Sequence, residues 1–75
     1  MQTALWMIKD IPNDGFEVIR DGRHVGIRRC DELEDAVEAI VEHDLFQAWD
    51  HVVLGWGSHR CDLDLTTYRR ELVGA

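Results

Sequence analysis

Four histidines (His24, His43, His51 and His59) and two cysteines (Cys30 and Cys61) are the side chains here best suited to hold a metal or carry a reaction. Zinc sites draw tetrahedral nitrogen and thiolate ligands from closely spaced pairs. No C-x-x-C or H-x-x-x-H pair occurs, and His59 with Cys61, two apart on one strand face, makes at most half a site. A cysteine nucleophile needs a paired base and an oxyanion hole, and both cysteines fall where a core hydrophobe would fit. Asp62 and Asp64 share a strand face, an arrangement able to do acid–base work. They alternate with Cys61, Leu63 and Leu65, however, and so read as the wet side of a last strand. Gly55-Trp56-Gly57 is not followed by the Lys-Ser or Lys-Thr helix of a phosphate loop. Its glycines instead allow a bend beside a large indole, and Trp56 exposed at that turn would be a binding anchor. Catalysis, a metal and a cofactor are therefore not expected.

The stronger pattern is electrostatic. Asp31, Glu32, Glu34, Asp35, Glu38, Glu42 and Asp44 fall within a stretch that contains no Lys or Arg, and their summed charge equals the −7 of the whole chain. On a helix, Asp31, Asp35, Glu38 and Glu42 line one stripe, four, three and four residues apart, with Glu34 flanking. Like charges at this spacing repel by roughly 0.2–0.5 kcal/mol per pair. The helix dipole offsets part of this for Asp31, Glu32 and Glu34 near the N-terminus, but not for Glu38 and Glu42. A helix selected for stability alone would mix signs. The plainer reading is a solvated face in an acidic protein; the functional one is an anionic face that imitates a run of phosphates.

Arg20, Arg23, Arg28 and Arg29 cluster around Asp21-Gly22, and Arg60, Arg69 and Arg70 lie late in the chain. Arginines beside exposed aromatics such as Trp6, Phe16, Trp56 or Tyr68 could hold nucleic acid through phosphate contacts and stacking. The competing reading has the arginines neutralising nearby carboxylates and the aromatics in the core.

The elements that must position these groups follow from turn signals and periodicity. Residues 4–11 are rich in strand formers, Pro12-Asn13-Asp14-Gly15 is a turn, and Phe16 to Arg20 reads as a second strand. Asp21-Gly22 closes a hairpin, after which Val25 and Ile27 alternate with His24, Gly26 and Arg28 as a third strand would. Asp31 with Glu34 resembles a capping box. Leu33, Ala36, Val37, Ile40 and Val41 then repeat at helical spacing to about His43, facing the sheet. Residues 44–50 read as a short helical turn or loop whose Leu45, Phe46 and Trp49 plug the end of the core. Residues 51–56 form a fourth strand, Gly57-Ser58 turns, and Cys61, Leu63 and Leu65 mark a fifth. The tail from Thr67 is open between a helical turn and an extended end. The expected fold is α+β: a small antiparallel sheet in the order β-β-β-α-β-β, with one helix packed on one face.

Length and composition bound the class. Seventy-five residues make one domain, 1–75, which buries only about 60% of its unfolded surface and has little material for the walls of a catalytic cleft. A 45% apolar content argues against disorder. An excess of carboxylates repels free polyanions and attracts basic protein surfaces. No run approaches the roughly 20 apolar residues of a membrane helix, and no secretory leader is apparent. Two cysteines are too few for the disulfide framework usual in a small secreted domain, so a cytoplasmic location with reduced thiols is expected.

The run GFEVIRDGRHVGIRRCDELEDAVEAIVEH, followed by HVVLGWGSHRCDLDL, resembles in layout two groups of short microbial proteins. One is a set of bacterial domains built from a hairpin, a helix and a second hairpin. The other is the small phage-encoded anti-CRISPR proteins, some of which share a V-[IV]-L-G strand, here Val52-Val53-Leu54-Gly55. The resemblance spans about residues 15–66. It implies a non-enzymatic inhibitor, acting in the host cytoplasm, that blocks the nucleic-acid-binding surface of a CRISPR surveillance complex with a DNA-mimicking helix face. Asp31, Asp35, Glu38 and Glu42, with Glu34 flanking, would meet the basic partner; Trp56, read from its turn and not from the resemblance, is the further candidate contact if exposed. The alternative is a small nucleic-acid-binding or regulatory accessory domain that uses the hairpin arginines.

Overall fold

A computed structural model of the chain describes residues 3–63. The elements are β1 (Leu5–Ile11), β2 (Gly15–Arg20), β3 (Arg23–His24), α1 (Leu33–Val41), β4 (His51–Trp56) and β5 (His59–Asp62), in the sequence order expected. Asp21 and Gly22 both take positive φ, 49° and 80°, the backbone of the tight turn their residue types favour. At the other end of the hairpin Gly15 has φ +85°, and an added Cβ there would stand 2.4 Å from the Cys30 carbonyl oxygen. Only glycine fits that position.

One sheet runs β3-β2-β1-β4-β5. Its pairs are antiparallel except β1 with β4, which run parallel with Trp6 beside Val52 and Ile8 beside Leu54. The sheet is thus mixed rather than wholly antiparallel. After the β1–β2 hairpin the chain crosses by way of α1 and returns on the far side of β1, where a strand entering after a crossover runs in β1's direction.

Two further expectations are corrected. The third strand is only Arg23–His24. Gly26 adopts φ +82° and leads the chain out of the ladder until Cys30 returns to Phe16 through two backbone bonds of 2.7 and 2.9 Å. Val25 and Ile27 become half-buried flanks of the core instead of ladder residues. The helix, for its part, starts at Leu33 rather than near Asp31. Cys30 is still held in its bridge, Glu32 is the extended N-cap (φ −119°, ψ 148°), and no side chain caps the first turn.

The core lies between α1 and one sheet face. Trp6, Ile8, Val18 and Val52 from the sheet meet Ala36, Val37 and Ile40 from the helix. Trp6 is wholly buried. His43 and Phe46 meet its ring edge-on, at 5.3 and 6.0 Å between centroids. Of the three residues expected to close this end, only Phe46 packs on the core; Leu45 and Trp49 are 47% and 45% exposed.

Candidate functional site: an acidic helix face

Helix α1 sorts its residues by period. Ala36, Val37 and Ile40 are buried and Leu33 and Val41 half-buried, whereas Glu34, Asp35 and Glu38 are exposed. Glu42 is the C-cap and exposed, and Asp31, Glu32 and Asp44 are exposed on the flanking chain. Asp31 lies before the N-cap, so the helical stripe is Asp35, Glu38 and Glu42 with Glu34 beside it. Among the described residues none of the seven carboxylates forms an ion pair, and the last turn carries no basic residue. Glu34 and Asp35 face the positive end of the helix dipole; Glu38 and Glu42 have no such compensation.

The field reaches Cys30. Burial pushes its thiol up from the ordinary value, and the charges of Asp35 and then Asp31 push it further. A thiol held protonated in this way is the reverse of an activated nucleophile. Cys61 is exposed on β5 and does not sit in the core as its apolar neighbours suggested; its strand is the outermost among the described residues. Among the described residues no three His, Cys, Asp or Glu side chains gather as metal ligands. No described helix is long and apolar enough to cross a membrane.

Arg20 stands opposite Arg23 across the β2–β3 turn, but the hairpin arginines differ in their neighbours. Arg20 is half-buried, 5.8 Å from the centroid of the Trp6 ring and 4.0 Å from Asp21. Arg29 is ion-paired with Asp14. Arg23 and Arg28 stay exposed. Arg69, Arg70, Tyr68 and Asp64 lie outside the described residues. Trp56 is 43% exposed and stacks on His59, with centroids 5.9 Å apart and planes at 30°. It stands at the end of β4, two strands from β2, the strand against which the helix packs most, so it belongs to a different part of the surface from the carboxylates.

Neither family models nor curated proteins nor solved structures match the chain.

Two features were not anticipated from sequence. Asp50 is a buried carboxylate that accepts from the Ala4 N–H (3.1 Å), the Trp6 indole N–H (2.9 Å) and the Gln47 N–H (3.0 Å). Burial pushes its carboxyl up, but the bonds from Trp6, Gln47 and Ala4 and the Arg20 guanidinium outweigh that and hold it below the usual carboxylate range. This staple ties the start of β1 to the start of β4. The second feature is the sheet face away from the helix, where a shallow concavity of about 460 Å³ is lined in part by Leu5, Met7, Ile11, Ile19, Lys9 and Arg60. The alternation of Leu5, Met7 and Lys9 against Trp6 and Ile8 was the available signal for it.

Proposed function

We propose that the chain is a non-catalytic binding protein that presents the outer side of α1 to the cationic, nucleic-acid-binding surface of another protein. A CRISPR surveillance complex, the target implied by the resemblance, is the specific candidate. The observation that carries this reading is the exposed, unneutralised row Glu34, Asp35, Glu38 and Glu42 on a helix whose other side is buried. Seven residues of helix separate Asp35 from Glu42, about 10 Å of axis, comparable to roughly three phosphate steps along a DNA strand. A stable complex buries at least about 1,000 Å² in total, so the flanking Asp31, Glu32 and Asp44 would join the contact. Electrostatic steering would speed encounter, and salt would weaken it.

The test is displacement of labelled target DNA from purified surveillance complexes. The wild-type chain should release the DNA, and Asp35→Lys combined with Glu38→Lys should not, although it folds. Equal release by both, or none by either, contradicts the proposal. Direct retardation of DNA or RNA by the chain at low salt would favour the arginine reading instead.

A further inference from the structure

We infer that the outer edge of β5 pairs with β5 of a second copy, in an antiparallel register centred on Cys61. Among the described residues, strand β5 is the last in the sheet, and all four of its residues are exposed. Exposed edges are ready to add a strand, and proteins normally blunt them. Which backbone groups face outward follows from the ladder. The Leu63 N–H donates to the Val52 carbonyl at 2.9 Å, and the register pairs Leu54 with Cys61 and Gly55 with Arg60. Antiparallel ladders alternate bonded and non-bonded pairs, so Cys61 and Leu63 bond inward to β4. The N–H and C=O groups of Arg60 and Asp62 therefore point to the open edge.

A two-fold axis normal to the sheet keeps each residue on its own face, so only residues of like parity can stand opposite one another. Centring the axis on Arg60 opposes two arginines, and centring it on Asp62 opposes two aspartates. Centring it on Cys61 sets each Arg60 across from the other copy's Asp62, with opposite charges on one face and four intermolecular backbone bonds between their outward groups. Opposed charges of unlike sign stabilise such pairs, and like charges destabilise them. The two Cys61 residues then form the non-bonded pair at the axis. Their Cα atoms would be about 4.5 Å apart, inside the range a disulfide spans. The Cys61 thiol already leans toward the edge, 3.5 Å from the Asp62 carbonyl oxygen. On the same face, half-buried Leu54 and Leu63 gain the partner's strand as a neighbour. Strands this short bury little area, so the dimer is a weak one.

The experiment uses the full chain. Under reducing conditions, sedimentation should show a monomer–dimer equilibrium at high micromolar concentration. Arg60→Asp should weaken the dimer roughly tenfold or more, because two attractive pairs become repulsive, and adding Asp62→Arg should restore it. With oxidised glutathione as electron acceptor, the two thiols of a dimer become one disulfide and the glutathione disulfide becomes two thiols. Peptide mapping should then find Cys61 linked to Cys61, in Cys30→Ala as in wild type, and the link should form about tenfold more slowly in Arg60→Asp. A monomer at every concentration overturns the proposal. So does a double charge exchange no better than Arg60→Asp alone, or a cross-linking rate that ignores Arg60. These readouts leave the acidic helix untouched, so they succeed or fail independently of the proposed partner.

Discussion

Replacing Glu38 by lysine should make the fold more stable while it damages binding. Glu38 is exposed in the middle of α1, with Glu34 four residues before it, Glu42 four after it and Asp35 three before it. Each like-charge contact at i,i+4 costs roughly 0.2–0.5 kcal/mol, and an opposite-charge contact returns a similar amount. Reversing the two i,i+4 contacts alone is therefore worth about 1 kcal/mol, with Glu34 N-terminal to the new lysine, the better orientation. For a domain of this size that corresponds to a rise of roughly 4–8 °C in melting temperature. Thermal unfolding of wild type and Glu38→Lys at low salt checks it. Repeating the scan in 1 M salt, where the screening length is roughly 3 Å, should remove most of the difference. A variant less stable than wild type at low salt, or a gain that survives high salt, would refute the view that this face carries uncompensated repulsion.

Asp50→Asn should cost about 2–3 kcal/mol, because an amide group would then face a donor where the carboxylate accepts; chemical denaturation measures it. The folded Asp50 carboxyl titrates below its unfolded value of about 3.9. Its stabilisation is fully present above that pH and is lost as pH falls through the lower folded value, so Asp50→Asn should flatten the acid limb of the stability curve. Gly15→Ala should cost roughly 2 kcal/mol or more through positive φ and the clash with the Cys30 carbonyl. Gly22→Ala, with the same sign of φ and open space around it, should cost only about 1 kcal/mol; equal losses in the two denaturation curves would discount the clash.

Much of this architecture is legible where local chemistry decides it. Asp-Gly at 21–22 dictates a tight turn whatever surrounds it, and the run from His51 to Trp56 is long and apolar enough to be a strand in any small sheet. The helix shows its buried side through Ala36, Val37 and Ile40, and hence its wet side through Asp35 and Glu38. What escaped depends on contacts distant in sequence. The parallel pairing of β1 with β4 is a consequence of the crossover, not of any residue pattern. Val25 and Ile27 alternate like a strand, but a left-handed Gly26 and the Phe16–Cys30 bridge lift them out of the ladder. Asp31 has the chemistry of an N-cap and is too close to that bridge to become one. Asp50 reads as an ordinary surface carboxylate until Ala4, Trp6 and Gln47 converge on it.

The claim that the α1 carboxylates are the contact surface is tested most directly by parallel affinity capture from bacterial lysate on immobilised wild type and on Asp35→Lys/Glu38→Lys, with each captured protein quantified by mass spectrometry. The expected result is a nucleic-acid-binding protein retained by wild type, released by added DNA or by salt, and depleted at least tenfold on the double variant. A nucleic-acid-binding partner held equally by both surfaces, or partners that DNA and salt do not release, would contradict it.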